Sequence, residues 1–158
     1  MIEFWDDITH KMRDLPGQLH PLLIIAGDTG SGKTRVAQRL DKEGLGVYFN
    51  LSLELARCLL KSEDTANLGV SYVLACLRHA ESSRPFVLDH IELAFSLKIQ
   101  VIPFFQELAR QHPLVVIWPG EVYGGLFRYS VPNQDDYSYF LDKTIASVNL
   151  SRKNGGKI

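Results

Sequence analysis

Cysteine is scarce: Cys58 and Cys76 are the two in 158 residues. Neither belongs to a C-x-x-C pair, which argues against a thiolate metal site. Both fall in stretches that read as helix, where buried free thiols are expected. Long apolar runs are absent too, and nothing approaches the ~20 residues that span a bilayer. The N-terminal "MIEFWDDITHKMRDLPG" carries acids inside its apolar pattern and shows no cleavage site, so a cytoplasmic protein with no membrane contact is expected. There is no excess of charge of one sign: 17 basic against 18 acidic side chains give a formal net charge of −1. This balance marks neither nucleic acid nor an anionic membrane surface as a partner. Internal repeats and low-complexity segments are also missing.

What the chain does contain is alternation. Met1, Trp5, Ile8, Met12 and Leu15 recur at helical spacing until Pro16-Gly17 stops them, and Leu22 to Ala26 is a short apolar run suited to a buried strand. Thr34 to Lys42 reads as helix with Gly44 near its end, and Val47 to Asn50 as a second strand. Ser52 is placed to cap the next helix, Leu53 to Lys61, and Val70 to His79 repeats the helical spacing. Pro85 announces a third strand, Phe86 to Leu88, ending on Asp89, and Pro103 suits the first turn of a helix running to Arg110. Leu114 to Trp118 is a fourth strand, Leu126 to Ser130 a fifth, and Asp135 to Ser147 is expected to close the chain as a helix. Strands alternating with helices predict an α/β fold, a three-layer α/β/α sandwich whose mostly parallel sheet has about five strands. Residues 1–150 are expected as one domain, with 1–20 as an N-terminal helical extension and 151–158 as a flexible basic tail.

Between the first strand and the following helix lies Gly27-Asp28-Thr29-Gly30-Ser31-Gly32-Lys33-Thr34, which satisfies G-x-x-x-x-G-K-[ST]. The physics of that pattern is explicit. Glycines let successive backbone N–H groups converge on phosphate oxygens, and the helix N-terminus adds partial positive charge. Lys33 is expected to reach the β and γ phosphates of ATP and Thr34 to offer its hydroxyl to Mg²⁺. Arg35, just behind, either faces solvent or touches the phosphates or the base edge. The expected fold is therefore a P-loop NTPase without a helical lid domain.

A magnesium site of this kind also needs an acid at the end of a neighbouring strand. "RPFVLDHIE" supplies Asp89 after three apolar residues, at the sheet edge where ligands of open α/β sheets bind. Taken alone, an aspartate there is a turn or cap residue; paired with the octet it becomes a metal ligand. Hydrolytic members of the class carry a glutamate directly after this aspartate to orient water. Here His90 occupies that place and Glu92 is the nearest acid, either a water-activating base or a surface residue of the turn. The catalytic set expected from the sequence is thus Lys33, Asp89 and Glu92.

The strand succession resembles the additional-strand P-loop ATPases, the RecA-like and AAA+ cores, in which the fourth strand inserts between the first and third. "VLDHIE" is similar to the "DNIE" and "DDIQ" forms of initiator-type AAA+ proteins. The usual arginine-finger helix and polar sensor have no counterpart, since "PGEVYGG" is too short and Trp118-Pro119 stands at the sensor position. The ordered set "GDTGSGKT", "VYFNLSLELAR", "VLDHIELAF", "PFFQELAR", "VVIWPGE" and "LFRYSVPNQDDYSYF", from about His20 to Phe140, resembles the BrxF-like small P-loop proteins of bacterial BREX phage-exclusion systems. Asparagine is common in that family at the positions of His90 and Pro119, so this chain departs at both. The resemblance implies a cytoplasmic nucleotide-binding component working beside larger defence proteins, including a DNA methyltransferase and other ATPases.

Three functions compete on this basis. The leading one is a Mg²⁺-dependent ATPase or ATP-driven switch completed by self-association or a BREX partner. The second is a nucleotide-binding adaptor with little or no hydrolysis. The third is a small-molecule kinase, which would need a basic mobile lid that the sequence does not display. Arg110 and Arg128 read as solvated charges or as an arginine supplied across a subunit interface. Arg152, Lys153 and Lys157 offer DNA phosphates at most a weak, unspecific attraction, and a disordered end is the expected reading of the tail. The aromatics of the last third, Trp118, Tyr123, Phe127, Tyr129, Tyr137, Tyr139 and Phe140, are expected in or around the core.

Overall fold

Every residue of Leu22–Gly27 (β1) is buried, so this strand has no face to give to water and must lie inside a sheet covered on both sides. A computed structural model, which describes residues 2–27, 30–61, 77, 83–93, 101–129, 138–141 and 145–150, gives that arrangement. The elements flanking β1 are Ile2–Asp14 (α1) and Lys33–Lys42 (α2). Val47–Asn50 (β2), Leu51–Lys61 (α3), Phe86–Asp89 (β3), Val101–Gln111 (α4) and Leu114–Tyr123 (β4) follow. Leu126–Tyr129 (β5), Ser138–Leu141 (β6) and Ala146–Asn149 (β7) complete the described set. The strands run in the order β2-β3-β4-β1-β7, all neighbours parallel, so the fourth strand does insert between the first and third.

Alternation along the strands sorts the core into two layers. Leu22, Ile24, Phe86, Leu88, Leu114, Val116 and Trp118 face α3 and α4, packing on Leu51, Leu55, Phe105 and Leu108. Leu23, Ile25, Val87, Val115 and Ile117 face the opposite way, onto Val36, Ala37 and Leu40 of α2 and Ile8 and Met12 of α1. The N-terminal helix is therefore a member of this second layer. Its Trp5 also receives the Arg39 guanidinium of α2, 3.9 Å from the ring centroid. Among the described residues no helix is long and apolar enough to cross a membrane.

Three expectations are corrected. The closing helix over 135–147 does not form: 138–141 and 146–149 are strands. Tyr137, Phe140, Leu141 and Ile145 mimic helical spacing, but β1 has an unpaired edge, and parallel pairing of Leu23 to Ala26 with Ala146 to Asn149 satisfies it. The segment "PGEVYGG" is not a bare connection. β4 runs on to Tyr123 and returns through Gly124-Gly125, at φ 57° and 85°, into antiparallel β5, with β6 paired beyond it. Positive φ at both central residues is what a two-residue hairpin demands, hence the glycine pair. Finally, Asn50 rather than Ser52 caps α3, accepting from the Leu53 amide at 3.0 Å. The expected helix over 70–79 lies outside the described residues except for Leu77, which is helical and buried. The side chains of Cys58, Tyr123, Tyr129, Tyr139 and Phe140, together with Cys76 and Tyr137, lie outside them as well. Trp118 and Phe127 are core residues in edge-to-face contact at 5.4 Å.

Candidate functional site

The parallel sheet brings the C-terminal ends of β1, β3 and β4 to one edge, and the glycine-rich turn leaves β1 there. Gly30 and Gly32 hold φ of 86° and 95°, a left-handed backbone that costs other residues about 1–2 kcal/mol. Gly27 is glycine for a different reason: a Cβ there would stand 2.4 Å from Ser31 Oγ, because the turn folds back over its own start. Lys33, the first residue of α2, donates from Nζ to the Gly27 carbonyl oxygen and so lies across the mouth of the turn. Ser31 Oγ is buried with no hydrogen-bond partner among the described residues, a polar group whose desolvation they leave uncompensated. Among the described residues no side chain caps the N-terminus of α2, whose first amides point into this turn. Asp28 and Thr29 lie outside the described residues. Arg35 is exposed on the first turn of α2, which fits the solvent-facing alternative.

Asp89 ends β3 on the α2 side of the sheet, because Val87, two residues earlier, packs on that same side. Its side chain is 5% exposed, yet its oxygens are occupied. Thr34 Oγ1 donates to Oδ2 at 2.8 Å, Tyr48 OH donates to the same oxygen at 2.8 Å, and the His90 amide donates to Oδ1 at 2.9 Å. The octet and the β3 aspartate, 55 residues apart in sequence, therefore meet directly. Tyr48 stands outside the set expected from the sequence. β2 lies beside β3 with Tyr48 opposite Val87, so Tyr48 shares the face of Asp89 and reaches it diagonally. A phenol near the end of a strand next to the aspartate strand was the available signal, invisible until the strand neighbours are known. Burial, then the hydrogen bond to Asp89 and its negative charge, raise the Tyr48 pKa above its ordinary value, so the phenol stays a donor.

The next residue turns sharply. His90 has φ 54°, a conformation uncommon outside glycine and one in which asparagine, aspartate and histidine are enriched. Its ring Nε2 stands 3.5 Å from Asp89 Oδ2, and its carbonyl accepts both the amide and the hydroxyl of Ser52. Ser52 Oγ in turn accepts from the Leu93 amide at 3.1 Å. The residue expected as a cap thus clamps the turn after Asp89 to the start of α3. Glu92, helical directly after that turn, is exposed and stands outside the Asp89 hydrogen-bond set. Trp118 faces the other side of the sheet, where its indole donates to the Arg128 carbonyl at 2.9 Å. Arg110 and Arg128 are solvated, paired with Glu107 and Glu121.

Chemically, a hydroxyl and a carboxylate already in contact are hard oxygen donors of the kind that suits Mg²⁺, which takes few protein ligands and keeps its waters. Among the described residues no group of three or more His, Cys, Asp and Glu side chains comes together. The open glycine turn, the orphaned Ser31 hydroxyl and the uncapped helix end suit an oxyanion beside that pair. No protein-family model matches this chain, and no curated protein matches it.

Proposed function

We propose that this chain is a P-loop protein that binds ATP with Mg²⁺ and acts as an ATPase or ATP-driven switch within a bacterial BREX defence system. The observation that carries the reading is the Thr34–Asp89 hydrogen bond, which joins the G-x-x-x-x-G-K-[ST] turn to the aspartate of β3. In this reading the turn amides and Ser31 bind phosphate oxygens, and Lys33 exchanges the Gly27 carbonyl for the β and γ phosphates. Thr34 and Asp89 hold the cation. Bound Mg²⁺ would supply charge neutralisation at those phosphates. The switch has a candidate route: the His90 turn is tied at one end to Asp89 and at the other, through Ser52, to α3. A shift of Asp89 on binding is thereby coupled to a helix. The BREX assignment rests on the ordered motifs, and its partners are other defence proteins of such a system or further copies of this chain.

The exposed position of Glu92 favours a second reading, an adaptor that binds ATP with little or no hydrolysis. Both are tested by measuring ATP binding and turnover with Mg²⁺ across protein concentrations, alongside Lys33→Ala and Glu92→Gln. Turnover that rises with concentration and falls in both variants supports a self-assembling ATPase. Binding without turnover supports the adaptor, and no binding refutes both.

A further inference from the structure

We infer that Tyr48 is a positioning residue of the cation site, its hydroxyl holding Asp89 Oδ2 in the orientation in which that carboxylate and Thr34 accept a divalent ion. The inference rests on the proposed binding of ATP with Mg²⁺ and assigns a role to a residue outside the sequence motif. Thr34 and Tyr48 each have one hydroxyl proton, and both are spent on the same oxygen, each at 2.8 Å. With their protons committed, the two hydroxyl oxygens keep only lone pairs to offer on their remaining sides. Asp89 Oδ2 is therefore flanked by acceptors, an arrangement that suits a cation or the hydrogens of its coordinated waters.

Tyr48 is itself held at both ends. Its amide donates to Asp41 Oδ2 of α2 at 2.8 Å, and its ring packs against the α2-side core. Asp41 thereby satisfies a backbone donor on β2, the edge strand, and couples Tyr48 to the same helix that carries Thr34. The phenol reaches Asp89 from β2 and the threonine from α2. Without Tyr48, Oδ2 would keep only the Thr34 hydroxyl, with the His90 ring 3.5 Å away as a competing partner.

Tyr48→Phe removes the hydroxyl and keeps the ring, so the packing survives. The test is calorimetric titration with ATP, in excess Mg²⁺ and in EDTA, of wild type, Tyr48→Phe, Asp89→Asn and the double variant. The expected result is a loss of roughly tenfold in affinity for Tyr48→Phe with Mg²⁺, the size set by deleting a hydrogen bond to a charged group. Affinity in EDTA stays at the wild-type value, which also shows that the variant is folded. In the Asp89→Asn background the tyrosine change has no further effect, because it acts through that carboxylate. Wild-type Mg²⁺ dependence in Tyr48→Phe, or an equal loss with and without Mg²⁺, overturns the inference while leaving nucleotide binding intact. A wild-type protein that binds ATP under neither condition overturns both.

Discussion

Replacing Asp89 by alanine sets two opposed energies against each other. The substitution strips the acceptor from Thr34 Oγ1, Tyr48 OH and the His90 amide. At about 1.5 kcal/mol net per hydrogen bond to a charged group, the three are worth about 4.5 kcal/mol, reduced to about 3 because water recovers some of the part-buried hydroxyls. Against this stands relief from burying a carboxylate that is only 5% exposed. The losses win here, since the three donors already replace most of the carboxylate's hydration. Asp89→Asn keeps an oxygen for the two hydroxyls but turns an NH₂ toward the His90 amide, donor against donor, at a cost of about 1 kcal/mol. Stability should therefore fall in the order wild type, Asn, Ala, read from urea unfolding midpoints at constant m. Both variants should also lose the Mg²⁺ contribution to ATP affinity. An alanine variant as stable as wild type, or more stable, would refute the reasoning and mean that desolvation dominates the cluster.

Gly120→Ala should lower stability by about 1–3 kcal/mol, because its Cβ would stand 2.0 Å from the Arg128 carbonyl oxygen across the β4–β5 pair; an unchanged melting temperature would contradict that close approach. Ile8→Ala, in the fully buried contact between α1 and the sheet, should cost about 2–5 kcal/mol, and a negligible cost would mean that α1 is dispensable to the core. The raised Tyr48 pKa predicts an alkaline effect. Above about pH 10 the unfolded tyrosine loses its proton while the folded one keeps it, so stability falls as pH rises, by at most about 1.4 kcal/mol per pH unit from this group. Tyr48→Phe should flatten the stability profile between pH 10 and 11, and profiles of equal slope would mean that neither burial nor the Asp89 contact raises its pKa.

Much of this architecture was legible because β1 and β3 are buried throughout and β2 in part. Leu22 to Ala26, Val47 to Asn50 and Phe86 to Asp89 are short apolar runs bounded by glycine, proline or polar residues, and local pattern suffices to find them. The meeting of Thr34 with Asp89 was legible because the octet must follow β1 and the aspartate must end a neighbouring strand, which brings both to one edge of the sheet. What escaped depends on neighbours that are distant in sequence. β7 is a strand because β1 has an edge to fill, although its surroundings keep helical spacing. Tyr48 matters because β2 lies beside β3, and Ser52 clamps His90 because α3 begins where that turn passes. Trp118 looked like a substitution at a sensor position, yet strand alternation turns it into the opposite core layer.

The most direct measurement is calorimetric titration of the protein with ATP in Mg²⁺, wild type against Lys33→Ala, with circular dichroism confirming that both are folded. Binding at one site per chain in the wild type, lost in Lys33→Ala, is the predicted result. A folded Lys33→Ala protein that binds ATP with wild-type affinity, or a wild-type protein that binds none, would contradict the account.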